Sequence, residues 1–176
     1  GHLGCIDFND EDGKLYASLE LKHDSIGQGI MKRIGHSIAE EDAFYVAVFE
    51  VDKIVRTGMD AEKDGIMKAV YLPLVVDWYS AVLSDGNLHK FACSGIDGMS
   101  IGRVFGQPKD SPSMLMVACG ISNSLERTDN DCNIIMQYDW RKFDEYAKPL
   151  TQLQPHHSGT YPDKVYHFFT GNTNWG

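Results

Sequence analysis

Basic residues are scarce in this sequence. Sixteen Lys and Arg stand against 25 Asp and Glu, a formal charge of −9. Such a surface repels a phosphate backbone unless cations cluster, and no cluster exceeds Lys32-Arg33 or Arg141-Lys142. No nucleic acid partner is expected. Long apolar runs are missing too. The longest, Val70 to Val76, falls far short of the ~20 residues a membrane helix needs, so no membrane insertion is expected. There is no C-x-x-C pair, which removes the usual signature of a structural zinc site or a thioredoxin-type redox centre. No Asn-x-Ser/Thr acceptor occurs, which leans against a glycosylated secreted protein. The chain opens on glycine, as a processed or trimmed product would, and its compartment stays open.

What is present reads as one globular domain over residues 1–176. The composition is 43% apolar and 23% charged, ordinary for a folded chain of 176 residues. Four cysteines, at 5, 93, 119 and 132, allow three disulfide pairings but require none at this size. Lys14 to Lys22 alternates, with Leu15, Ala17, Leu19 and Leu21 on the face expected to be buried. The turn Asn9 to Gly13 joins it to Cys5–Phe8 in a predicted hairpin. Ser25 is the expected N-cap of a helix carrying Ile26, Ile30, Met31, Ile34 and Ile38. Phe44–Val51, Leu88–Ala92, Ser113–Ala118, Asn133–Tyr138 and Val165–Thr170 read as strands. Glu62 to Tyr71 is compatible with a helix, with Pro73 interrupting what precedes it. Asp139 is expected to cap a helix stopping at Pro149, and 150–163 to be loop. Strands and helices mix without βαβ alternation, so the fold class is α+β, a mainly antiparallel sheet packed against helices.

Two acidic patterns have simpler readings than the chemistry they suggest. The turn Asp7 to Gly13 fails as a calcium loop, because Asp12 and Ser18 stand where glycine and glutamate belong. Glu20-Leu21-Lys22 has the spacing of a metal-dependent nuclease core, yet alternation on a strand's outer face gives the same letters. No metal or cofactor is expected.

The more specific cluster is Phe91-Ala92-Cys93-Ser94-Gly95-Ile96, followed by Ile101, Val104 and Phe105 at helical spacing. A cysteine opening a helix meets unsatisfied N–H groups that favour the nucleophilic thiolate. Downstream come His156-His157-Ser158-Gly159-Thr160-Tyr161 and then His167. Cysteine, general base and an orienting group are the parts of covalent acyl transfer. These residues resemble the NlpC/P60 group of papain-like cysteine peptidases, which show F-D-C-S-G-[LV] and H-V-G-[IV]-Y with a second histidine beyond. The resemblance implies Cys93 as nucleophile, His157 as base and His167 as orienting residue. It implies a soluble thiol hydrolase acting without metal on a peptide or peptidoglycan-like amide. Ala92 stands where that family has aspartate, and Ser158 where it has an apolar residue.

The alternative is a non-enzymatic module that binds a carbohydrate or protein ligand through its aromatic, amide-rich end. Tyr161, Tyr166, Phe168, Phe169, Asn172, Asn174 and Trp175 supply the rings and amides.

Overall fold

Aromatic and β-branched residues crowd Phe44–Glu50, a segment that fits a pleated, two-sided surface and forms the best-buried strand of the chain. The structure is a computed structural model that describes residues 2–21, 25–35, 37–120, 132–151 and 154–169. Four strands, β1 (His2–Asn9), β2 (Lys14–Glu20), β3 (Phe44–Glu50) and β4 (Met67–Tyr71), make one antiparallel meander. Four more, β5 (Ile96–Arg103), β6 (Ser113–Cys119), β7 (Cys132–Tyr138) and β8 (Lys164–Phe169), make a second in the same order. Three helices, α1 (Ser25–Ile34), α2 (Pro73–Trp78) and α3 (Phe143–Tyr146), complete an α+β domain.

One core lies between the sheets. Tyr16, Phe44, Val46, Val48 and Val70 face it from the first sheet, and Leu115, Val117, Ile134, Met136 and Tyr138 from the second. Enclosing each large apolar side chain contributes roughly 1.5–3 kcal/mol relative to exposure. β2 therefore turns Tyr16 and Ser18 toward the main core; of the expected face, Ala17 is fully buried on the other side, Leu15 and Leu19 are partly buried, and Leu21, just past the strand, reaches the main core. Both of its faces are covered, so alternation alone did not say which face the core would take. Ser18 is tolerated inside because a bulge in β1 leaves the Cys5 N–H free to donate to its hydroxyl at 3.0 Å.

Acidic side chains join the sheets where no backbone ladder runs. The Asp7 carboxylate accepts from the Ser100 hydroxyl at 2.8 Å and from the Ile101 N–H at 2.7 Å. Glu20 accepts from the Ile96 N–H at 3.1 Å. Asp12 closes the β1–β2 turn, accepting from the Lys14 N–H and, at 2.6 Å, from the Tyr16 hydroxyl. These contacts occupy the carboxylates that prompted the calcium and nuclease readings.

Several expectations are corrected. Residues 61–71 hold a turn and then β4, not a helix, because β4 pairs with β3 in register from Tyr45↔Tyr71 to Phe49↔Met67. Pro73 begins α2, where its missing N–H costs nothing. Leu88–Ala92 makes only an isolated bridge, Val82↔Leu88. The segment after Cys93 is β5, not a helix. Gly98 and Gly102 weaken helix there, and seven residues of β5 pair with β6 instead. Asp139 does cap, accepting from the Arg141 N–H at 3.2 Å, but the helix is a single 3₁₀ turn followed by α3.

Candidate functional site

Cys93 follows a loop that bridges back to Tyr79, with its N–H donating to the Trp78 carbonyl at 2.8 Å. It is fully enclosed, at 0% exposure, in the core between the sheets. Its S–H donates to the Val75 carbonyl at 3.7 Å, and Cys119 shares the same core. With β5 following, there is no helix N-terminus to stabilise a thiolate. The Cys93 thiol is nonetheless held below its ordinary value, first by the bond from Cys119, against the opposing effect of burial and with help from the Gly95 backbone. Cys119 is pushed well up by the same bond and by burial.

The two histidines serve other surfaces. His157 is exposed, with Nε2 2.6 Å from the Asp42 carboxylate and its ring 4.7 Å from that of Tyr71. It belongs to a strap, described over residues 148–151 and 154–160, that pairs with β4 at both ends. Ala69 and Lys148 exchange backbone bonds, the Tyr71 N–H donates to Ser158, and Thr160 donates to Tyr71. Gly159 is glycine because any Cβ there would land on the Tyr71 carbonyl. The glycine of His-Ser-Gly-Thr-Tyr is thus required by close backbone approach. His167 lies on β8 and stacks on Phe91, centroids 4.2 Å apart, with Trp78 at 6.0 Å. Burial and then the Lys90 ammonium lower its pKa. Among the described residues the structure joins Cys93 to the Val75 carbonyl, His157 to Asp42 and His167 to Phe91. It does not bring the three into one hydrogen-bonded relay. A 0% exposed thiol also offers no face to a substrate carbonyl.

A different constellation stands on the outer face of the second sheet. Tyr166 and Phe168 are two apart on β8, so both point outward. Their rings are near parallel, 17° apart with centroids at 6.4 Å. Phe105, from the loop after β5, meets Tyr166 at 81° and Phe168 at 90°, like a wall on a floor. Phe168 and Phe105 are about half exposed, at 45% and 51%. Polar groups flank the rings. Asn133 is the register partner of Phe168, and Gln137 accepts from the Tyr166 hydroxyl at 2.8 Å. The Lys164 ammonium lies 4.7 Å from the Tyr166 ring centroid. Sequence reading found Tyr166 and Phe168 but took Phe105 for a helical residue and missed Asn133, Gln137 and Lys164. The i, i+2 aromatic spacing was the available signal; the register with β7 was not readable. Asn172, Asn174, Trp175 and the Phe169 side chain lie outside the described residues.

A cavity of about 190 Å³ opens elsewhere, lined by Leu19, Leu21, Tyr45, Met67, Asp42 and Glu62 among others. Small-molecule pockets usually run roughly 300–1,000 Å³, so this one suits only a few atoms. No family model, curated protein or solved structure gives a significant match to the chain.

Proposed function

We propose that the protein is a non-enzymatic binding module for a neutral carbohydrate, held on the aromatic face of β8. The observation that carries this reading is the parallel Tyr166–Phe168 pair with Phe105 standing across it. Half-exposed Phe168 and Phe105, with partly buried Tyr166 between them, present π-faces to the C–H face of a sugar, and an amide beside them serves the sugar hydroxyls. Asn133 is the exposed amide at hand, while buried Gln137 holds the Tyr166 hydroxyl. A net charge of −9 works against acidic polysaccharides, so the ligand is neutral. A site of this kind needs a fixed platform more than a reactive group, and the β7–β8 ladder supplies one.

Calorimetry against a panel of neutral oligosaccharides tests the reading. Binding should weaken at least about tenfold in Phe168→Ala and in Tyr166→Ala, the size expected when one stacked ring is lost. Thermal unfolding of the same variants should stay near that of the wild type. Binding that survives both substitutions, or no binding to any neutral glycan at millimolar concentration, would remove the proposal. Capture of a protein ligand by the same rings would assign the face to the interface alternative.

A further inference from the structure

The cavity of about 190 Å³ shares no residue with the β8 face and has a chemistry of its own. It lies between the first sheet, the segment leading into β3, and the strap, which contributes Leu150, Thr151 and Pro155. Leu21, Met67 and Leu150 give it apolar walls, and Tyr45 adds aromatic surface. An apolar cavity of roughly 150 Å³ is enough to take up benzene, so this one holds a body of about six to eight heavy atoms. Among the described residues, every charged side chain that lines it is a carboxylate: Glu20, Asp42 and Glu62. Glu20 accepts from the Ile96 N–H, and Asp42 is paired with His157 Nε2. Glu62 is exposed, and its carboxylate makes no ion pair among the described residues. The nearby donors are already spent. The N–H groups of Leu21, Asp42, Ala43 and Met67 donate to backbone carbonyls, and the Tyr45 hydroxyl donates to the His156 carbonyl at 3.0 Å. An anion entering here meets like charge and little to donate to it, whereas an ammonium group meets acceptors.

We infer that this cavity is a binding site for a small organic monocation, one ammonium group on a benzyl-sized apolar body. The apolar body fills the space between Leu21, Met67 and Leu150, and the ammonium group turns toward Asp42 and Glu62. Removing the body from water supplies the attraction, and the carboxylates select the charge. Glu20 and Asp42 are held by their own hydrogen bonds, so little ordering is needed when the ligand arrives. A bare metal ion does not fit the same place. No three His, Cys, Asp or Glu groups converge to hold one among the described residues, and the apolar walls supply no further ligands. Because the strap forms part of the lining, a bound cation touches strap and sheet together and stabilises their contact.

Calorimetry and amide NMR of the whole chain with benzylamine, near neutral pH where the amine is protonated, test this. Benzylamine should bind at least about tenfold more tightly than benzyl alcohol, its neutral counterpart of similar shape, and benzoate should not bind. Amide shifts should centre on Leu21, Ala43, Tyr45 and Met67 and leave Tyr166 and Phe168 unmoved. Neutral oligosaccharides should not compete. Glu62→Gln should weaken binding about threefold with an unchanged melting temperature, and Asp42→Asn should weaken it more. If Asp42→Asn does not fold, Glu62→Gln decides alone. Equal affinity for benzylamine and benzyl alcohol would overturn the inference, because charge would then play no part. So would shifts centred on β8, affinity unchanged in Glu62→Gln, or no saturable binding of benzylamine up to about 20 mM.

Discussion

The outer faces of the two sheets use the same residues to opposite ends. On the first sheet, Tyr45 and Tyr71 lie at 2% and 8% exposure under the strap, with His156 and His157 packed on their rings. On the second, Tyr166 and Phe168 stand on the outer surface with Phe105, Lys164, Asn133 and Gln137 beside them. The first set is satisfied by the protein's own chain. Its rings contribute to stability and its backbone edge is paired, which removes an aggregation-prone strand edge. The second set does little for the core, and Phe168 stays half exposed. Exposure alone does not make such a site. Ile6 and Phe8 on β1 are as exposed as Phe168, but they lack the parallel ring pair and the flanking amides.

The sharpest way to break this contrast is to remove one ring from each face. Tyr45→Ala should cost about 4 kcal/mol in urea unfolding, as a buried ring leaves a cavity and the strap loses its anchor. Phe168→Ala should cost less than about 1 kcal/mol. Equal losses would mean that the β8 face is structural.

The strap itself is tested next. Gly159→Ala puts a methyl group onto the Tyr71 carbonyl and should cost about 3 kcal/mol while leaving the β8 face unchanged. A variant as stable as wild type would show that the strap does not seat on β4.

A smaller loss is expected where the sheets meet. Asp7→Ala strands the Ile101 N–H and should cost about 1–2 kcal/mol, whereas Asp7→Asn keeps an acceptor oxygen and should cost less. Amide hydrogen exchange at Ile101 would report the difference directly.

The smallest effect is a pH dependence confined to the strap. His156 Nδ1 accepts from the Ser158 N–H at 3.2 Å, and Nε2 donates to the Lys148 carbonyl at 3.3 Å. That arrangement fits only the neutral ring, and burial, the largest cause, lowers its pKa below the ordinary 6.5. The unfolded chain therefore binds more protons between the folded value and 6.5. This contribution should be complete above about pH 6.5 and lost as the pH falls through the window below it. Thermal melts between pH 8 and pH 5 should show a decline in the wild type that is shallower in His156→Gln. Identical slopes would remove the assignment.

Sequence alone carried the α+β class, the β1–β2 hairpin, β3, β6, β7 and β8, and the Asp139 cap. Each of these is local, resting on alternation, a turn or a side chain reaching its own backbone two residues away. It also supplied Tyr166 and Phe168, because a period of two puts them on one face whatever lies beyond. It could not say which face of β2 would meet the core, since Tyr16 and Leu15 are both apolar enough to be buried. It could not separate helix from strand after Cys93, where Ile101, Val104 and Phe105 satisfy a helical count and β6 decides otherwise by pairing. The partners of Cys93, His157 and His167 lie 18, 115 and 76 positions away, at Val75, Asp42 and Phe91. Contacts at that separation come from how the two sheets close over one another, and no short motif encodes it.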